Sequence, residues 1–163
     1  MSHTANPSPV DSIFEPEYTA SLCTLFEEQI CFNKLIGLQV RALQPQQARC
    51  RLQMRPELIG HFAHQRMHGG VISATLDALG GLAVIVAISE RHLDETPQQR
   101  LHRFNKLGTI DLRVDYLRPA IGTVFEARAE VMRLGSRVAS TRMEFLDEQG
   151  RLLSTGAAAY MVS

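Results

Sequence analysis

The stretch from Gly69 to Ser89 constrains the chain more than any other. It holds one charged residue, Asp77, and is otherwise apolar or small. A membrane span needs about 20 mostly apolar residues, so length alone admits one. Against that reading stand four glycines, Ser73, Thr75 and a carboxylate near the middle, with Arg66 the only cation close to its start. A helix that is apolar all round is instead the mark of burial inside a protein. The expectation is a long core helix, no membrane role, and other elements that supply its cover.

The remaining sequence offers that cover. Leu38, Val40 and Ala42 alternate with Gln39 and Arg41, and Ala48, Cys50, Leu52 and Met54 alternate with Arg49, Arg51 and Gln53. Gln44-Pro45-Gln46 separates them, so the pair reads as a hairpin. After the core helix, period-two stripes recur. One is Ile110, Leu112, Val114 and Tyr116; the next is Phe125, Ala127, Ala129 and Val131; a third is Ala139, Thr141, Met143 and Phe145. Leu152 to Met161 is apolar or small on both faces, as a covered central strand requires. Tyr18 to Ile36 reads as an amphipathic helix with Leu22, Leu25, Phe26 and Ile30 inward and Glu27 and Glu28 on the wet side, stopped by Gly37. Residues 55–68 read as irregular. Residues 90–108 read as a polar flap with a short helix begun by Thr96-Pro97. Strands in runs with segregated helices mean an α+β fold, here an antiparallel sheet wrapped around one long apolar helix, with an extra N-terminal helix.

Composition sets the limits. At 163 residues, 45% hydrophobic and 21% charged, the chain suits one globular domain. We expect a flexible tail over residues 1–17 and a single domain over 18–163. Seventeen basic and 17 acidic residues cancel, which argues against nucleic acid as a partner. Residues 1–17 show neither the cationic start nor the apolar core of a signal peptide. Three cysteines without CxxC spacing read as buried free thiols in a reducing cytoplasm.

No G-x-S-x-G elbow, Walker loop, G-x-G-x-x-G or H-E-x-x-H occurs. His61, His64 and His68 have a spacing that could present three imidazoles, but Pro56 and Gly60 make their segment irregular, and we expect no metal. Two other features carry chemistry. His68-Gly69-Gly70 opens the core helix, where unpaired N–H groups and the positive dipole end can hold a developing oxyanion; the plainer alternative is a tight, His-capped helix entry. Asp77 lies about two turns further on, among the small residues Ser73, Ala74, Gly80 and Gly81. An ionised carboxylate in apolar surroundings is expensive unless paired or used. Asp77 is therefore either a general base or nucleophile, or half of an ion pair at a subunit contact.

His68-Gly69-Gly70, Asp77 nine residues after the His, and Asp115-Tyr116-Leu117-Arg118-Pro119-Ala120 together resemble the hotdog-fold thioesterases of the PaaI-type (4HBT) superfamily over about residues 37–162. The resemblance implies cofactor-free hydrolysis of an acyl-CoA thioester. It makes Asp77 the general base or nucleophile, gives Gly69 an oxyanion N–H, and has His68 support the site, with Gly70 and Ser73 as further candidates for contacting the substrate. It matches Thr109 to a hydroxyl residue that places the water. It further implies a homodimer, or a dimer of dimers, with each site shared between two chains. Many relatives carry an Asn six or seven residues before the His; here Phe62 and His61 stand there, so His61 or His64 is a candidate replacement. Between Pro97 and Arg142 nine Lys or Arg face four Asp or Glu, and Arg118 and Arg137 are the candidates for CoA phosphates. The competing expectation is a non-catalytic acyl-CoA-binding or sensor protein on the same fold.

Overall fold

The structure, a computed structural model, describes residues 9–163. In chain order it contains β1 (Asp11–Ser12), α1 (Pro16–Thr24), a π-helical turn (Leu25–Gln29), α2 (Cys31–Ile36), β2 (Gln39–Gln44) and β3 (Gln47–Gln53). Then come β4 (Ile59–His61), β5 (Arg66–Met67), α3 (Gly69–Glu90), α4 (Pro97–His102), β6 (Gly108–Tyr116), β7 (Val124–Leu134), β8 (Val138–Asp147) and β9 (Leu152–Met161). Seven strands form one sheet in the order β1-β2-β3-β7-β8-β9-β6, antiparallel except for the β1–β2 pair, and β4–β5 is a separate hairpin.

The sheet curls around α3 as the alternation predicts. Inward positions of β3, β7 and β9 are mostly small (Ala48, Ala127, Ala129, Gly156 and Ala158), so the helix nests close to the strands. A Cβ on Gly156 would stand 3.1 Å from the Met143 side chain and 3.2 Å from Leu76. Phe125 and Phe145 stack on the same face at 5.4 Å. β9 is an interior strand flanked by β8 and β6, as its two-sided apolar pattern demands. In the most apolar window of α3, 67% is buried within the chain. Every residue from Leu79 to Ala87 is buried, whereas Val71, Ser73, Ala74, Asp77 and Ala78 are only half-buried. Asp77 thus belongs to an uncovered stripe of small residues; within one chain the expected burial is not found.

The N-terminal segment differs from expectation in two ways. The tail expected over residues 1–17 is partly outside the described residues, but Asp11–Ser12 pairs with Ala42 and Leu43, Phe14 is buried, and α1 begins at Pro16. The single helix expected over 18–36 is interrupted. Leu25–Gln29 winds as a π-turn and Ile30 leaves helical geometry at ψ 95°. The reason lies in Glu27, which turns inward to accept the Val40 N–H at 2.6 Å instead of facing water. Only Cys50 of the three cysteines is fully buried, and Cys31 is exposed. Burial pushes Cys23 up to about 11 and Cys50 up to about 12, so both remain thiols at neutral pH.

The flap is fastened through one cation. Thr96 and Gln99 form a capping box at the start of α4, and the buried Arg100 lies 4.1 Å over the Tyr18 ring while ion-paired to Glu15. Glu15 is itself 42% exposed and returns to water when Arg100 is removed, so what the fold loses is mainly the guanidinium packed over the Tyr18 ring. Arg100→Ala is expected to destabilise the fold by about 1–2 kcal/mol, read as a lower urea midpoint at unchanged slope; a change under about 0.5 kcal/mol would show that the flap does not depend on it.

Candidate active site

His68 sits at the N-cap of α3, and its Nδ1 accepts the Gly70 N–H at 2.8 Å. An accepting Nδ1 puts the ring proton on Nε2. The Val71 and Ile72 N–H groups both point at the His68 carbonyl. The Gly69 N–H has no acceptor among the described residues, which leaves it as the free donor at the positive end of a long helix. Gly60 makes the close fit possible: a Cβ there would stand 2.6 Å from the His68 Cα. Tyr116 Oη donates to the Gly69 carbonyl at 3.0 Å and ties the first turn of α3 to β6. Beside this turn opens a cleft of about 530 Å³, walled by His68, Ile72, Tyr116, Arg66 and Arg118.

Asp77 is held from two strands. Thr109 Oγ1 donates to its Oδ1 at 2.9 Å. Tyr160 Oη donates to the Asp77 carbonyl at 2.8 Å and lies 3.5 Å from Oδ1. Oδ2 accepts nothing from the described residues, so one carboxylate oxygen is oriented and the other is free. Burial, reinforced by the Asp77 charge, pushes the Tyr160 phenol far above its ordinary range, so it stays a donor.

Thr109 reaches Asp77 because β6 breaks its own alternation. Thr109 pairs with Tyr160 and Asp111 with Ala159, so Ile110 is an extra residue, a β-bulge. The slip turns Thr109 to the helix side along with Leu112 and Val114. It also leaves Ile110 exposed, although its place in the apolar stripe suggests burial.

The other expected site residues divide. Ser73 Oγ donates to the Gly70 carbonyl at 3.1 Å, one turn before Asp77. His61 and His64 stack at 4.7 Å on the β4–β5 hairpin; His61 Nδ1 is buried without a partner, and neither ring bonds to Asp77 or His68. Phe62 is 84% exposed. No cluster of three or more His, Cys, Asp or Glu suited to a metal occurs among the described residues. Arg118 donates to the Leu152 carbonyl at 2.8 Å and lines the cleft beside Gly69. Arg137 is exposed in the β7–β8 turn, near the Met161 end of β9. The two arginines therefore flank opposite ends of a strand roughly 30 Å long, and one chain does not bring them together. The structure adds Tyr160, Tyr116 and Arg66. Of these, Tyr160 had a trace in the sequence: Gly80, one turn beyond Asp77, leaves the space its hydroxyl occupies.

This architecture is shared. The thioesterase superfamily profile matches residues 64–154. The medium/long-chain acyl-CoA thioesterase YigI of Escherichia coli K12 is 33% identical over 138 residues, 85% of this chain and 89% of that protein. A solved Shewanella oneidensis protein related to the thioesterase superfamily is 36% identical with a TM-score of 0.82, covering 92% of this chain and 100% of that one. PaaI, the phenylacetic acid degradation protein of Thermus thermophilus, solved as a mutant, is 25% identical with a TM-score of 0.65, over 82% and 99% of the two chains. The chain belongs to the thioesterase superfamily and has its hotdog fold. It is a thioester hydrolase.

A Cβ at Gly80 would lie 2.2 Å from Tyr160 Oη and 3.0 Å from its Cζ. Gly80→Ala is therefore expected to cost about 1–3 kcal/mol through overpacking. In a Tyr160→Phe background, where the hydroxyl is gone, at least half of that cost should vanish; thermal or urea unfolding of the four proteins measures the coupling. Purely additive effects would mean that Gly80 and Tyr160 do not share this space.

Proposed function

We propose that this protein hydrolyses acyl-CoA thioesters as a homodimer, itself able to pair into a dimer of dimers, with each site shared by two chains. One observation carries the reading. The free Gly69 N–H and the oriented Asp77 carboxylate lie on the same helix eight residues apart, or about 12 Å at 1.5 Å per residue. A reacting carbonyl needs both groups within about 3.5 Å. A single chain cannot supply both to one carbonyl, whereas two α3 helices running antiparallel can. Two exposed features support that pairing: the half-buried stripe of small residues around Asp77, and the long edge strand β6 with Ile110 57% and Tyr116 53% exposed. A nine-residue edge strand presents a row of unpaired N–H and C=O groups that a second copy can cover.

The route follows from the geometry. The thioester oxygen accepts the Gly69 N–H of one chain. Asp77 of the partner subunit, its Oδ1 held by Thr109 and its Oδ2 free, takes a proton from water as the water oxygen bonds to the carbonyl carbon. The same N–H stabilises the tetrahedral oxyanion. Collapse breaks the carbon–sulfur bond, and the proton on Asp77 goes to the departing thiolate. No metal or cofactor takes part. Arg66 and Arg118 in the adjoining cleft are the phosphate-binding candidates in the same chain as Gly69. The free thiols of Cys23, Cys31 and Cys50 fit a reducing cytoplasm.

Asp77→Asn tests the reading. Thiol release from acyl-CoA is expected to fall at least ~10³-fold while circular dichroism and elution volume stay unchanged. Full turnover by the folded variant would remove Asp77 from the chemistry. Tight acyl-CoA binding by the wild-type chain without turnover would favour a sensor.

A further inference from the structure

A second groove meets the site from the other side of His68. It has a volume of about 800 Å³ and is walled mainly by Phe32, Leu35, Leu58, Ile59 and Val71, with Lys34, Arg55 and Glu57 on its rim and His68 and Gly70 at one end. This lies within the range of small-molecule sites. We propose that this groove takes the acyl chain of the thioester, and that Phe32 and Leu35 set the chain length the protein prefers. The proposal rests on the acyl-CoA hydrolysis inferred above.

The apolar wall of the groove is held outward. Phe32 is 55% exposed and Leu35 66% exposed, and neither is on a loose end. The π-turn and the break at Ile30 re-aim α2, putting Asn33 and Ile36 inward and Phe32 and Leu35 outward. Asn33 Nδ2 donates to the buried Phe26 carbonyl at 3.0 Å. The Arg55 guanidinium donates to the Leu35 carbonyl, and Gly37 closes the helix in a left-handed conformation at φ 79°. A short helix pinned at both ends with two large apolar side chains in water is a surface built for contact. π-turns are themselves concentrated at functional sites.

The surfaces that meet at His68 differ in chemistry. On one side lies the apolar groove; on the other lies the cleft with Arg66 and Arg118. An acyl-CoA has the same division, a hydrocarbon on one side of its thioester carbonyl and a phosphate-bearing arm on the other. A carbonyl placed at the Gly69 N–H between the two clefts sends each half into the surface that suits it. Each methylene moved from water into such a groove is worth about fourfold in affinity, so a wall at Phe32 and Leu35 grades substrates by length.

The experiment compares wild type with the Phe32→Glu/Leu35→Glu double variant, whose changes fall at exposed positions. The readout is the ratio of kcat/KM for dodecanoyl-CoA to that for butyryl-CoA. The proposal expects this ratio to fall at least ~10-fold, with unchanged circular dichroism and elution volume. An unchanged ratio overturns it. A shift in elution volume also overturns it, because the groove would then be seating a second copy of the chain. If the wild type releases no thiol from either ester, the hydrolysis reading fails on its own, and equilibrium binding of dodecanoyl-CoA decides the groove: at least ~10-fold weaker binding by the double variant supports it, and equal binding overturns it.

Discussion

A helix without a polar face must be covered, and α3 is covered in two different ways. Around its C-terminal half the cover is intramolecular: the alanine-lined strands on one side, and α1 with the Arg100-fastened flap on the other. Along its N-terminal half a stripe of small residues around Asp77 is left half-open. That division organises the molecule. The enclosed half gives the helix a fixed position against the sheet. The open half is where Gly69 and Asp77 are presented, at places rigid enough for chemistry and near enough to the surface for a substrate.

The polar contacts of the site depend on small departures from regular geometry. The bulge at Ile110 turns Thr109 toward the helix; without it, that hydroxyl would face away and Asp77 would lose its nearest donor. Gly80 leaves room for Tyr160 Oη, and Gly60 lets the β4–β5 hairpin press against His68. The π-turn before α2 spoils a continuous helix and in return exposes Phe32 and Leu35 beside the helix start. At each place a regular element gives up a residue's worth of order where a site side chain or a groove wall is positioned.

The fold was legible because its signals are periodic. The two-residue alternation of β3, β7 and β8, the unbroken apolar run of α3 and the two-sided pattern of β9 each follow from which faces are buried. His68, Gly69 and Asp77 stood out as candidates because a glycine pair opens the core helix, a lone carboxylate interrupts its apolar run, and their spacing resembles the family pattern. What was hidden was everything that interrupts a period. The stripe of Ile110, Leu112, Val114 and Tyr116 has no mark of the bulge. Glu27, which breaks the expected 18–36 helix by turning inward to Val40, looks like any solvent-facing glutamate. Tyr160 is separated from Asp77 by 83 positions, and only the packing of β9 on α3 brings its hydroxyl to that carboxylate.

The central claim is that one site needs the helix start of one chain and the carboxylate of another, and a hybrid dimer tests it directly. Gly69 is the first residue of α3, a position that tolerates proline, and His68 already has the extended geometry that precedes proline. Gly69→Pro therefore deletes the N–H while keeping the helix start, with the Tyr116 ring, 3.2 Å from the new Cβ, giving way by a few tenths of an ångström. Each homodimer, Gly69→Pro or Asp77→Asn, should be inactive in thiol release from acyl-CoA. The purified hybrid, one chain of each kind, contains one site with both groups intact and should recover roughly half the wild-type rate. A hybrid as inactive as its parents would contradict the account, because it would place both groups of each site within a single chain.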